Sequence, residues 1–216
     1  CPYSTLLALT KTVVSKQKEK LDMDKSNGYE KIAKRFIEIR GQKIDGIGTS
    51  SVQSWIKSFP EKSTILDLRC GTGIPITKVL IDEGMKVFGI DSSKTLIKEF
   101  KKNFPNTHVE CEAAENSLFF NQKYDGIIAW GLIFLLTKQA QIKVLKKAAN
   151  SLKDGGKILF TAPKQKTEWE DLMTKQKSVS LGSKKYKEIL SESGLTVIQE
   201  FKDEGENYYY EAIKNK

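Results

Sequence analysis

Apolar residues recur along the chain with two different periods, and the first one is helical. From Tyr29 to Ile37 they follow the i, i+3, i+4, i+7 spacing that places side chains on one face of a helix. We expect this helix to end near Gly41. A second helix is predicted over residues 50–59, before Pro60, because the residue preceding a proline disfavours helical backbone. Residues 23–60 are therefore predicted to form a helical cap.

Beyond residue 63, short apolar runs alternate with helical patterns, which is typical of a parallel sheet covered by helices. This order predicts an α/β fold: a three-layer Rossmann-like sandwich with a mostly parallel seven-stranded sheet and helices on both faces. A short turn, DEGE, joins the last two strands and predicts an antiparallel C-terminal hairpin. The predicted strands are 64–68, 86–91, 107–111, 124–130, 156–162, 195–201 and 207–213, and the predicted helices are 75–83, 94–103, 138–152 and 184–193.

The pattern predicts a single domain over residues 23–216. Residues 1–22 precede it and are interpreted as an N-terminal extension, since the regular pattern begins only after Met23. Residues 164–183 form an insertion that is either a substrate lid or a disordered Lys-rich loop, because connections of this length are often functional or disordered.

Composition narrows the partners that we expect. The chain has 216 residues, with a net charge of +9 that comes almost entirely from lysine, and arginine occurs only at Arg35, Arg40 and Arg69. Nucleic-acid readers typically use the bidentate arginine fork, so a nucleic-acid partner is not expected. The longest apolar stretch, 126–136, has 11 residues. That is about half of the roughly 20 needed to span a bilayer, so no membrane partner is expected.

The cysteines and the lone histidine indicate no metal site. Cys1, Cys70 and Cys111 cannot form a fully paired framework, there is no CxxC, and His108 is the only histidine. This usage suits a reducing compartment and predicts a cytoplasmic location. Nothing in the pattern indicates an oligomeric state.

The chemistry-bearing motif is ILDLRCGTGIP, residues 65–75. A strand ends in Asp67, a glycine-rich turn follows with Gly71 and Gly73, and Pro75 stands where a helix begins. Such a turn lets a ligand approach the backbone closely. A dinucleotide fingerprint, GxGxxG, needs a third glycine where this chain has Ile76, which weakens a nicotinamide interpretation.

The second strand ends in another acid, Asp91, within FGIDSS. A carboxylate at this position of an α/β sheet can accept both hydroxyls of a ribose. Either motif alone is common, but their order and spacing together are more specific.

These segments resemble the motifs of the class I S-adenosylmethionine-dependent methyltransferases, from about Met23 onward. ILDLRCGTG is similar to their first motif and VFGIDSS to their ribose motif. The final part, from residue 186 to 212, is similar to bacterial members that act on small molecules. ECEAAENSLFF resembles the family's adenine-side loop, and YDGIIAWGLIFLL resembles its fourth-strand motif. LKDGGKILFTAP resembles the segment before its fifth strand.

The resemblance implies S-adenosylmethionine as cofactor and S-adenosylhomocysteine as product. It implies that Asp67 helps to hold the methionine amino group, that Asp91 takes the ribose hydroxyls, and that the glycine loop approaches the cofactor. Near the adenine, either Glu112 or the backbone of Ala114 would make the contact. The implied cofactor-binding positions are Asp67, Arg69, Cys70, Gly71, Gly73, Asp91, Ser92, Glu112, Ala113, Ala114, Ala129 and Trp130.

Arg69 departs from the family pattern, which has glycine at this position. If the backbone there has a positive φ, a side chain costs roughly 1–2 kcal/mol in strain. The guanidinium either obstructs the cofactor, turns outward, or reaches the cofactor carboxylate.

Candidates for the acceptor pocket lie where strands end and where the helical cap covers them. They are Tyr29, Phe36, Arg40, Trp130, Phe134 and Trp169. Core packing is the alternative for Phe36 and Phe134. No catalytic base is evident, and His108, which precedes the third strand, is interpreted as structural.

We therefore predict an enzyme that transfers a methyl group from S-adenosylmethionine to a small-molecule acceptor by in-line displacement. One alternative is a cofactor-binding or non-catalytic homologue disabled by Arg69. A weaker alternative is a nicotinamide-dependent oxidoreductase.

Overall fold

The computed structural model of the protein describes residues 25–39 and 46–216. In this part of the chain, seven strands form one sheet with the spatial order β3-β2-β1-β4-β5-β9-β8. The predicted N-terminal extension and the expected helix end near Gly41 lie outside the described residues. The strands are β1 (Thr64–Leu68), β2 (Lys86–Asp91), β3 (His108–Cys111), β4 (Tyr124–Ala129), β5 (Leu152–Thr161), β8 (Leu195–Lys202) and β9 (Tyr208–Lys214), and β6 (Thr167–Glu170) and β7 (Lys177–Ser180) form a separate pair.

The predicted α/β architecture is confirmed. Strands β1 to β5 pair in parallel, and only β9 runs antiparallel to both of its neighbours, β5 and β8. The predicted C-terminal hairpin is therefore present, with β9 inserted between β5 and β8. The helices are α1 (Tyr29–Ile39), α2 (Thr49–Ile56), α3 (Ile76–Asp82), α4 (Lys94–Asn103), α5 (Lys138–Ser151) and α6 (Ser183–Glu192).

Each face of the sheet is covered because successive strand residues point to opposite sides. In β1, Leu66 and Leu68 belong to the apolar cluster that contains α5 and α6. Ile65 belongs to the cluster on the other face, with α2 and α3. The side chains that form the site leave this packed core at the carboxyl ends of β1, β2 and β4.

The insertion at 164–183 contains two short strands. Its strands β6 and β7 pair antiparallel, with Trp169 opposite Ser178. The buried Gln141 amide of α5 donates to the Val179 carbonyl at 2.8 Å and fixes the ribbon to the core. Satisfying a buried carbonyl in this way stabilises a short ribbon that sequence propensity alone does not predict. A lid role for the ribbon stays a prediction.

Helix α1 is attached to the start of α4. The Glu30 carboxylate accepts hydrogen bonds from the Ser93 hydroxyl at 2.5 Å and from the Thr95 hydroxyl at 2.7 Å. Because Tyr29 is the first residue of α1, this attachment holds its ring above the ends of β1 and β2. No helix within the described residues is long and apolar enough to cross a membrane.

Candidate functional site

The turn after β1 is hydrogen-bonded to the end of the neighbouring strand. The backbone N–H groups of Arg69 and Cys70 both donate to the Ile90 carbonyl, at 2.7 and 3.1 Å. Residues 69–73 therefore stand directly beside the end of β2. This places the two strand-end acids, Asp67 and Asp91, on either side of the glycine turn.

Asp91 is a buried carboxylate that the backbone holds in place. Its two oxygens accept from the Gly71 N–H at 3.0 Å and from the Ser93 N–H at 2.8 Å. Burial raises the pKa of Asp91, whereas the nearby charge of Arg69 and the two backbone donors oppose that rise. One bond to each oxygen leaves lone pairs that can accept further hydroxyl groups.

Asp67 is also buried, and its surroundings favour the neutral form. Burial raises the pKa of Asp67 to about 7. The Thr77 hydroxyl donates to this carboxyl at 2.6 Å, which lowers the pKa but only in part offsets the effect of burial. A cation beside Asp67 would stabilise the ionised carboxylate and recover the desolvation cost. Thr77, on α3, is a site residue that the sequence reasoning missed, because its spacing from Asp67 carries no motif.

The two glycines of the turn serve different purposes. Gly71 has a φ of 57°, and a Cβ added there would meet no atom within 4 Å, so this side of the turn is open. Gly73 has a φ of 82°, and a Cβ there would lie 2.4 Å from the Phe104 ring. Gly71 therefore leaves room for a ligand, whereas Gly73 is required by packing.

Arg69 has a φ of 72°, in the left-handed region where a glycine is favoured. Its guanidinium carbon lies 4.0 Å from the centre of the Tyr29 ring, in a cation–π stack. On another side, its Nη1 atom would lie 3.3 Å from a Cβ added at Gly131. The side chain therefore points over the site rather than away from it.

A cavity of about 600 Å³ opens in front of the glycine turn. A smaller cleft of about 30 Å³ adjoins it on the side of residues 112–115. Tyr29, Arg69, Asp91 and Leu96 line both spaces, so the Arg69–Tyr29 stack stands between them. The larger cavity is lined by Tyr29, Phe36, Ile39, Gly46, Ile47, Asp67, Arg69, Cys70, Gly71, Thr72, Ile74, Pro75, Ile76, Asp91, Leu96, Trp130, Gly205 and Asn207.

Residues 65–156, from β1 to the start of β5, match a family model described as a methyltransferase domain. This match identifies residues 65–156 as a methyltransferase domain. The matched segment contains the glycine turn and both strand-end acids.

A curated relative is similar to this chain in sequence, and several solved structures are similar to it in fold. The chain is 34% identical over 113 residues to the putative methyltransferase YqeM of Bacillus subtilis, a match over 49% of this chain. It spans 45% of that relative's length. A methyltransferase from Clostridium acetobutylicum superimposes with a TM-score of 0.65 at 15% identity, over 87% of this chain and 99% of that one.

Two further structures share the fold of the methyltransferase domain. A TehB-like methyltransferase from Corynebacterium glutamicum gives a TM-score of 0.66 at 18% identity, over 87% of this chain and 97% of that one. Magnesium protoporphyrin IX methyltransferase from Synechocystis, solved with bound S-adenosylmethionine, gives 0.63 at 15% identity, over 86% and 97%. At these identities the likeness concerns the fold.

The structure brings most of the predicted cofactor positions of the methyltransferase domain together. Asp67, Cys70 and Gly71 line the larger cavity, with Arg69 and Asp91 at its junction with the smaller cleft. Gly73 lies behind the turn, and Ala129 is buried in β4, so neither lines either space. Ser92, Glu112, Ala113 and Ala114 line the smaller cleft.

The loop after β3, which is predicted to contact the adenine, is fixed by a lysine that the sequence reasoning missed. The Lys147 ammonium of α5 donates to the carbonyls of Ala114 and Ser117, both at 2.6 Å. The Glu112 carboxylate accepts from the N–H of Ala113 at 2.8 Å. The backbone of this loop is therefore held from two sides.

The predicted acceptor residues of the methyltransferase domain divide into two groups. Tyr29, Phe36 and Trp130 line the larger cavity. Phe134 and Trp169 line neither space and instead face each other, with ring centres 5.5 Å apart. Their mutual packing gives a structural reason for both residues. Arg40 lies outside the described residues.

His108 stands at the start of β3, at the edge of the sheet opposite the site. Its ring stacks on Phe88 with centres 5.0 Å apart. This contact agrees with the structural interpretation of the histidine. No cluster of three or more His, Cys, Asp or Glu side chains that could hold a metal occurs in residues 25–39 and 46–216.

Proposed function

We propose that this chain binds S-adenosylmethionine in the cleft beside the glycine turn and transfers its methyl group to a small-molecule acceptor. The observation that carries the proposal is the pair of buried carboxyl groups, Asp67 and Asp91, on either side of an open glycine turn. A ligand that bears an ammonium at one end and a diol further along complements this pair. The match of residues 65–156 to a methyltransferase model favours an adenosyl cofactor over a nicotinamide one.

The donor set fits the cofactor by its chemistry. Asp67 would bind the ammonium group, which would keep this carboxyl ionised at neutral pH. Asp91, oriented by the N–H groups of Gly71 and Ser93, would accept the ribose hydroxyls. Glu112 and the loop that follows it would contact the adenine. S-adenosylmethionine, when bound, supplies a methyl group that is already activated as part of a sulfonium.

The residues around the larger cavity would position the acceptor and exclude water. Its described lining contains no His and no Lys, and burial raises the pKa of the Cys70 thiol well above its usual value. Because its two carboxyl groups, Asp67 and Asp91, are assigned here to the cofactor, we infer that the described lining supplies orientation rather than a general base. We infer that the acceptor presents a nucleophile with a free lone pair at neutral pH.

The cofactor assignment is tested by isothermal titration calorimetry with S-adenosylhomocysteine. We expect Asp91→Asn to weaken binding by about 10-fold to 100-fold, because a hydrogen bond to a charged group contributes about 1.5–3 kcal/mol. Asp82→Asn is the matched control, since Asp82 pairs with Lys78 at the surface of α3. Equal affinities for the two variants would remove the role of Asp91.

A second candidate function is a homologue in which Arg69 prevents methyl transfer. It is favoured by the positive φ of Arg69 and by the position of its guanidinium between the two spaces. In that case Arg69→Gly binds S-adenosylhomocysteine while the wild type does not. If the wild type binds S-adenosylhomocysteine with micromolar affinity, Arg69 does not prevent cofactor binding, and this candidate is excluded in that form. If neither protein binds, the cofactor assignment itself fails.

A further inference from the structure

The turn between β8 and β9, residues 203–207, closes the far end of the larger cavity. Gly205 and Asn207 belong to its lining, and so does Trp130, which follows β4. The first residue of this turn is Asp203, a carboxylate that is 8% exposed and has no part in the proposed cofactor site. Its surroundings show what it does.

Asp203 is fully occupied by neighbouring donors. Its Oδ1 accepts from the backbone N–H groups of Gly205 and Asn207, both at 2.9 Å. Its Oδ2 accepts from the Asn207 side-chain amide at 2.9 Å and from the Tyr209 hydroxyl at 2.8 Å. A carboxylate that accepts this many hydrogen bonds orients the groups that donate them.

One of these neighbours holds an aromatic wall. The Trp130 indole N–H donates to the Tyr209 hydroxyl at 2.7 Å, and the Tyr209 ring stacks on Phe201 with centres 4.7 Å apart. The backbone of Gly48 covers this bond so closely that an added Cβ would lie 2.6 Å from the indole nitrogen. The indole of Trp130 is therefore fixed in one orientation at the cavity wall.

The other neighbour offers a hydrogen-bond acceptor. Because the Asn207 amide nitrogen donates to Asp203, the Oδ1 atom of Asn207 is the polar atom of this side chain that can bind a ligand. Among the described residues, no donor is bonded to this oxygen. Nearby, the lining contributed by Gly46, Ile47 and Gly205 carries no charge.

We propose that Trp130 and Asn207 form an acceptor subsite for a planar, uncharged molecule that carries an N–H or O–H donor. Trp130 stacks against the plane and Asn207 Oδ1 accepts from the donor. Asp203 and Tyr209 are positioning residues, acting through Asn207 and Trp130. The subsite rests on the proposed function for its link to methyl transfer, whereas its hydrogen bonds form without any ligand.

The test compares two probes of the same shape, indole and benzofuran, of which only indole has a ring N–H. Binding to the full chain is followed by NMR titration at millimolar concentrations, with and without S-adenosylhomocysteine. We expect indole to bind about twofold to tenfold more tightly than benzofuran, the range for one net hydrogen bond. Asn207→Ala should abolish this preference.

Tyr209→Phe releases the indole of Trp130 and should weaken both probes, leaving the preference for indole in place. Tyr208→Phe is the matched control, because Tyr208 bonds to Glu200 on the opposite side of β9. A preference that survives in Asn207→Ala, or no binding of either probe to the wild type, would overturn the subsite. Failure of the cofactor assignment appears separately, as absent binding of S-adenosylhomocysteine to a protein that still binds indole.

Discussion

Two replacements of Arg69 separate the effect of its backbone conformation on the free energy of unfolding from the effect of its side chain. A non-glycine residue in the left-handed region costs about 1–2 kcal/mol, and Arg69 has a φ of 72°. Against this, its stack on Tyr29 contributes about 0.5–1 kcal/mol. Glycine adds about 0.4–1 kcal/mol of unfolded-state entropy cost relative to alanine. Arg69→Ala therefore loses the stack and keeps the strain, whereas Arg69→Gly loses both.

We expect Arg69→Ala to lower the free energy of unfolding by about 0.5–1 kcal/mol. We expect Arg69→Gly to be more stable than Arg69→Ala by up to about 1.5 kcal/mol, because the relief of strain exceeds the entropy cost of glycine. Urea denaturation of the three proteins at one pH measures both differences. Arg35→Ala, on the exposed face of α1, is the control for losing an arginine. An Arg69→Gly variant less stable than Arg69→Ala would refute the assignment of strain to this backbone.

Three further predictions follow from buried contacts. The folded-state pKa of Asp67 is about 7 against an ordinary 3.8, so the folded protein binds the proton more tightly than the unfolded chain does. The free energy of unfolding of the ligand-free protein should therefore fall as the pH rises from about 4 to 7. Asp67→Asn should flatten that fall, as measured by urea denaturation. Gly73→Ala should cost more than about 2 kcal/mol by urea denaturation, against about 1 for Gly71→Ala, because only the former meets a ring. Lys147→Met should weaken S-adenosylhomocysteine binding several-fold by calorimetry, whereas the exposed Lys143→Met should not.

The main architecture was predictable because strand ends and glycine turns are local signals. Asp67 and Asp91 follow apolar runs, and the parallel pairing of β1 with β2 brings them to one edge. The ribbon β6–β7 was not predicted, since its strands are four residues long and depend on Gln141, which is distant in sequence. Sequence alone has no means of anticipating such tertiary hydrogen bonds.

The acceptor end was predicted only in part, for a similar reason. The sequence predicts Trp130 as a pocket residue from its place after β4. Asp203 and Asn207 stand in a turn whose sequence is typical of an ordinary connection between two strands. The role that we propose for them depends on the hydrogen bond from Tyr209 to Asp203 and on the close approach of Gly48 to Trp130. Phe134 and Trp169 are predicted as pocket residues from their places after the fourth and fifth strands of the sheet, yet here they pack against each other.

The insertion of β9 between β5 and β8 has a consequence for synthesis of the chain. The cleft beside β1 can assemble early on a growing polypeptide, from contacts among residues 64–161. Its opposite wall cannot, because β9, which carries Tyr209, must first insert between β5 and β8. During synthesis, the glycine turn and the two strand-end acids are thus expected to form before the wall that contains Trp130 and Tyr209 is complete.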